Sequence, residues 1–326
     1  MPKARSTDAK LERLRLLRDE PPSPAVAQEL QSALRDPSNH VVANAAALAA
    51  RFRFTDLAPE MAAAFERFLI EPLKNDKTCS AKTALVDALN ELDSQEPEVF
   101  LAGIRHVQEE PIWGGARDTA AGLRAGCALA VVRIGHPRAN ALLVDLLADP
   151  ERVVRIAAAQ ALAASGSNAA LLLLRLKARL GDGDPEVTGE CLLGLMRHEP
   201  QESAAFVAEF LESDDAAVAE MALLALGNSR RAEAFEVLKR FWEGRPRNEL
   251  RETTLVAIAL LRFAAASDFL LTLLADAPES TAREALSALA TLHYDDRVRQ
   301  SVAMALESRN SDSLRTMFDE KFRQHE

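Results

Sequence analysis

Asp149-Pro150-Glu151-Arg152-Val153-Val154-Arg155-Ile156-Ala157-Ala158-Ala159-Gln160-Ala161-Leu162 decides the fold, because its apolar spacing recurs along the chain. Val154 starts a stripe that continues at Ala158, Ala161 and Leu162, at offsets of 4, 7 and 8. Those offsets share one side of a helix with about 3.6 residues per turn. The same stripe starts again at Leu123, Val187, Val218, Leu250 and Thr281, so the six starts are 31, 33, 31, 32 and 31 residues apart. The second position of the stripe is Cys127, Ala158, Cys191, Ala222, Thr254 and Ala285, and the third is Ala130, Ala161, Gly194, Ala225, Ala257 and Ala288. The fourth is Val131, Leu162, Leu195, Leu226, Ile258 and Leu289. A repeat of this length is one supersecondary unit that buries its apolar face only by stacking on its neighbours.

The two small series let helices approach closely, while the large residues at either end of the stripe fill the grooves. Asp118, Asp149, Asp182, Ser213, Arg245 and Asp276 stand five residues before each start and read mostly as N-caps, with Pro150 and Pro185 near the first turn. A second apolar helix precedes each of these, as in Ala139 to Leu147, Asn168 to Leu180, Ala204 to Leu211, Ala232 to Trp242 and Ser267 to Leu274. Each unit is therefore a helical hairpin. Looser copies run toward the amino end at Val41 to Ala50 and Ala81 to Leu92, for about eight units in all. Charged amphipathic segments, Thr7 to Arg18 and Ser311 to Phe322, suit the polar ends of such a stack. The expectation is an all-α, right-handed α-α superhelix, one solenoid over 1–326, with a capping helix in 1–23, repeats over 24–308 and a second cap in 309–326.

The stretch from Asp149 to Leu162, ending near Gly166, resembles the second helix of a HEAT repeat, particularly the short bacterial form found in phycobilisome lyase subunits. Asp184-Pro185-Glu186-Val187 and the run from Leu123-Arg124 to Gly135 are weaker copies. The resemblance spans roughly residues 24 to 308. It implies an armadillo-like helical solenoid whose second helices line a concave, protein-binding face; fold alone does not settle activity. Deoxyhypusine hydroxylases share the architecture but hold two irons through several His-Glu pairs, and here only His198-Glu199 and His325-Glu326 occur. Nothing positively marks a bilin groove. A glycosylase of this form would need a cationic groove with aromatics, and beyond scattered Phe the chain offers only Trp113, Trp242 and Tyr294.

Composition agrees with this reading. The 326 residues are 48% apolar but only 5% aromatic, which favours helices and excludes sandwiches, barrels and disulfide-framed domains. Cys79, Cys127 and Cys191 form no CxxC pair, and an odd count of separated thiols points to a reducing, cytoplasmic setting. Cys127 and Cys191 share a small-residue repeat position and read as packing residues. The net charge is −10, with an excess of three cations in the first 53 residues and −13 in the remainder, which argues against nucleic acid. No membrane span or small-molecule site is expected, and no cofactor or metal ligand set stands out: the six histidines lack HxxxH or HExxH spacing, and Gly181-Asp182-Gly183-Asp184 reads as a turn.

Two features remain as partner-binding candidates. Glu109 to Asp118 interrupts a hairpin with a long loop carrying Trp113 beside Gly114-Gly115, and Arg117. The loop reads either as a contact element or as a tight turn with Trp113 packed on the adjacent repeat. Arg124, Arg155 and Arg251 recur directly after the first stripe residue, either as inter-repeat ion pairs or as a row gripping acidic groups. The functional expectation is a non-catalytic scaffold or adaptor for an unidentified protein partner. The alternative is an accessory, lyase-like subunit acting on a prosthetic group or modifying a partner.

Overall fold

In the computed structural model, residues 2–309 and 311–322 are described, with side chains from Thr7 onward. Twenty α-helices, three 3₁₀ turns and one small β-hairpin make up the regular structure of these residues. They group into two compact units that meet in sequence at Ser165 and Gly166. The first unit holds α1 (Pro2–Leu17), α2 (Pro24–Leu34), α3 (Asn39–Arg51), α4 (Ala58–Leu69), the one-turn α5 (Pro72–Asn75), α6 (Ser80–Glu91), α7 (Pro97–Gly103), α8 (Ala121–Arg133), α9 (Ala139–Leu147) and α10 (Arg152–Ser165). Its strands, β1 (Glu109–Ile112) and β2 (Gly115–Asp118), lie between α7 and α8. The second unit holds α11 (Asn168–Leu180), α12 (Pro185–His198), α13 (Pro200–Glu209), α14 (Ala216–Ser229), α15 (Ala232–Glu243), α16 (Asn248–Leu260), α17 (Ala264–Asp276), α18 (Glu279–Ala290), α19 (Asp296–Glu307) and α20 (Asp312–Lys321).

Each unit is an all-α solenoid. In the first, α3, α6, α8 and α10 pack side by side as the second helices of successive hairpins; in the second, α12, α14, α16 and α18 do the same. The expected carboxy-terminal cap is α20, which forms a further hairpin with α19: α19 packs on α17 and α20 on α18. The stripe read from the repeat is the core. Leu123, Val154, Val187 and Leu250 are fully buried, as is every residue of the second series, and the third and fourth series are buried throughout. Two repeats slip in phase. Val218 and Thr281 are only half-buried, and the next residues, Ala219 and Ala282, turn inward in their place. A fifth buried column, at Ala128, Ala159, Leu192, Leu223, Leu255 and Leu286, widens the apolar face so that each second helix meets its own hairpin partner as well as its neighbours.

The expected N-cap series lies two residues too early. Asp118, Asp149, Asp182 and Ser213 each accept a hydrogen bond from the backbone N–H two residues on, at Ala120, Glu151, Asp184 and Asp215, with distances of 2.9, 2.9, 2.9 and 3.2 Å. They shape the turn before the helix, since short Asx and Ser side chains favour such bonds. The caps proper in two repeats are Asp184 and Asp215, which accept from Glu186 and Ala217.

Candidate functional site

Glu109 to Asp118 is not an irregular loop but an antiparallel β-hairpin, with Glu109 opposite Asp118, Glu110 opposite Arg117 and Ile112 opposite Gly115. Its two-residue turn is Trp113-Gly114, and Gly114 has φ of 90°, a left-handed conformation that favours glycine. A two-stranded ribbon of four-residue strands is marginal by itself. The brace is a polar network at its base. Buried Gln108 donates from Nε2 to the backbone carbonyl of Asp76 and to Glu110 Oε1, both at 2.7 Å. Glu110 also accepts from Thr119 Oγ1 at 2.9 Å and from the backbone N–H of Thr78. Thr119 N–H donates to the Gln108 carbonyl at 2.9 Å, and Gln108 N–H to Asp118 Oδ1 at 3.0 Å.

Arg124 locks this base to the next repeat. Its guanidinium is buried and donates to Asp118 Oδ2 at 2.6 Å, to both oxygens of Asp149 at 2.8 and 3.0 Å, and to the His106 carbonyl at 3.0 Å. Forked pairing of this kind is directional as well as strong. Beneath it, Asp76 and Lys82 form a fully buried ion pair at 2.9 Å, with Asp76 also capping α6 through the N–H groups of Ala81 and Lys82.

The network holds both carboxyls in their charged form. Burial works to raise the Asp118 pKa, but the N–H groups of Gln108 and Ala120 and the Arg124 guanidinium outweigh it and hold this carboxyl below the usual range. Glu110 behaves alike: desolvation opposes ionisation, and the donors of Gln108, Thr119 and Thr78 prevail. A folded-state pKa below the unfolded one stabilises the fold above the unfolded values, about 3.9 for Asp and about 4.3 for Glu. That stabilisation is lost as pH falls through the folded values. Hydrogen-exchange protection of Gln108 and Thr119, corrected for intrinsic rates, should therefore fall below about pH 4. Protection that is flat down to about pH 3 would contradict this assignment.

The tip points the other way. Trp113 is 102% exposed and Ile112 53%, so Trp113 does not pack on the adjacent repeat. Arg117 is also exposed, on β2. The structure thus gathers Trp113 and Arg117 on one ribbon, whose base Arg124 holds. Arg155 donates to the carbonyls of Asp149 and Pro150 at 2.9 and 2.8 Å. Arg251 pairs with Glu284 at 2.7 Å and lies 4.4 Å over the Trp242 ring. Each of the three arginines therefore has partners of its own in the fold. Of the early cations, Lys10 pairs with Asp36 and Arg13 with Glu20 and Glu29.

Sequence reading missed the polar base and a shallow groove between α12 and α14, lined by Glu186, Gly189, Glu190, Leu193, Met221 and Leu224 among others. Two stripe-relative columns carry a signal for the groove: position 3 holds Glu190 and Met221, and position 6 holds Leu129, Leu193, Leu224 and Val256, apolar residues on a face that core packing does not use. The thiols of Cys79, Cys127 and Cys191 are buried and free, and burial pushes the Cys79 pKa up to about 11 and that of Cys191 to about 12. Among the described residues, no group of three or more His, Cys, Asp and Glu is placed to hold a metal, and no helix is long and apolar enough to cross a membrane. His198 sits at the end of α12, its ring against the backbone of Gly166. His325-Glu326 lies outside the described residues.

The family model for HEAT repeats matches residues 115–175 and 173–259. No curated protein matches the chain by sequence. Among solved structures, it is similar to the complex of CpcE and CpcF of phycocyanin lyase from Nostoc sp. PCC7120, at 18% identity over 89% of this chain and 96% of that chain, with a TM-score of 0.37. It is also similar to Kap121p bound to Pho4p, at 14% identity over 90% of this chain and 41% of that one, TM-score 0.42. Human deoxyhypusine hydroxylase in complex with glycerol shares 18% identity over 78% of this chain and 90% of that one, TM-score 0.31. The hairpin whose second helix carries the stripe from Val154 to Leu162 lies within that match, and residues 115–259 are HEAT repeats.

Proposed function

We propose that this chain is a non-catalytic scaffold that binds a protein partner through its second-helix faces and through the β-hairpin of the first unit. The observation that carries the reading is Trp113, wholly exposed at the tip of a ribbon whose base is held by buried hydrogen bonds and ion pairs. A large aromatic left in water contributes nothing to the core, and on a braced arm it loses little freedom on docking. Tryptophan is also the residue type most enriched at interface hot spots.

Trp113→Ala tests this. The variant should melt within about 1 °C of the parent, since exposed substitutions shift stability by under about 0.5 kcal/mol. Partners recovered with the parent from the native host should fall about tenfold or more, as for a hot-spot truncation. Unchanged recovery together with a lower melting temperature would make Trp113 a packing residue and overturn the reading.

A further inference from the structure

We infer that the groove between α12 and α14 receives a partner segment in which an apolar side chain is flanked by lysine or arginine. This rests on the scaffold reading and specifies the chemistry of what is bound. The groove has a volume of about 400 Å³, enough for a side chain or two and far less than a folded domain would need. Leu193, Met221 and Leu224 are half-buried along it and give it an apolar floor. None of the three belongs to the buried core, which is filled by the stripe and the fifth column.

Charge selects the occupant. Glu190 lines the groove and Glu220 precedes Met221 on α14, and among the described residues neither has an ion-pair partner. The lining holds no lysine or arginine. A segment carrying carboxylates would meet like charge there, while cations beside an apolar anchor would meet opposite charge across the rim. The larger groove between α13 and α15 lacks this selectivity, since Glu233 and Glu236 face Arg240 and Arg247 within it.

The test is fluorescence anisotropy on the full chain with two labelled peptides, one alternating leucine with arginine and one with glutamate in place of each arginine. The arginine peptide should bind and the glutamate peptide should not. E190K/E220K should weaken binding at least tenfold, whereas E236K/E243K on α15, with the same change in net charge, should leave it within twofold. Circular dichroism on both variants checks that they fold; if E190K/E220K does not, E190Q/E220Q takes its place and should weaken binding at least threefold. Equal binding of the two peptides, or equal losses in the two double variants, overturns the assignment. Trp113-dependent partner recovery without binding of the arginine peptide removes the groove assignment and leaves the scaffold reading standing. Binding with the expected Glu190 and Glu220 dependence, but without Trp113-dependent recovery, keeps the groove and removes the hairpin as a contact.

Discussion

Asp76→Ala is expected to destabilise the first unit by about 3 to 5 kcal/mol, the cost of breaking a buried ion pair from one side. Asp76 and Lys82 are both fully buried, and their side chains meet at 2.9 Å. With the carboxylate gone, the Lys82 ammonium keeps only the Phe68 carbonyl at 3.3 Å. A charge with one neutral acceptor in a dry interior is poorly solvated. The same carboxylate accepts from the N–H groups of Ala81 at 2.8 Å and Lys82 at 3.1 Å, so the α6 cap is lost as well. Thr78 and Cys79 enter that helix with φ of 61° and 54°, a conformation that needs such a clamp. Gln108 is tied to the Asp76 carbonyl, so the damage reaches the base of the β-hairpin. Urea unfolding followed by circular dichroism measures the loss as a lower midpoint at unchanged slope. Asp76→Asn with Lys82→Met keeps an oxygen at the cap and removes both charges, and should recover all but about 1 to 2 kcal/mol. A loss below about 1 kcal/mol for Asp76→Ala would show that water reaches Lys82.

Gly227→Ala should cost about 2 to 3 kcal/mol, although alanine is the better helix former by about 1 kcal/mol. A Cβ at this position would stand 2.5 Å from the Ala257 carbonyl oxygen and 2.8 Å from its Cα. These are backbone atoms of α16 and have no rotamer through which to retreat. The helices must separate, and the fully buried Ala222, Leu226, Ala257 and Ile258 lose contact together. Thermal unfolding reads this as a lower melting temperature for the second unit. A rise in melting temperature would mean that α14 slides on α16 freely enough for helix propensity to prevail.

The repeat was legible because it needs only side-chain volume and period. Cys127 and Cys191 share a column with four small residues, and all six are buried. The turns were less legible. Asp118, Asp149, Asp182 and Ser213 mark helix entrances correctly, yet bond to the turn and not to the first helical amides. Several caps and turns satisfy the same preference for short polar side chains, and sequence spacing does not separate them. The β-hairpin left still less trace. Its strands have four residues each and bury no alternating face, so they carry no period-2 pattern.

The sequence alone determined that the chain stacks helical hairpins, which faces are apolar and where neighbouring helices approach, since these follow from local periodicity and residue size. Tertiary structure decided what the exceptional residues do. Arg124 and Trp113 were both candidates for partner contact in the sequence, one now buried between two carboxylates and the other wholly in water. Only the fold places Asp149 against Arg124 and Asp76 beneath Gln108, across 25 and 32 residues of chain. The physical reason is that burial and ion pairing depend on which repeats are neighbours in space, and periodicity establishes a helix's inner face without establishing what waits on the other side.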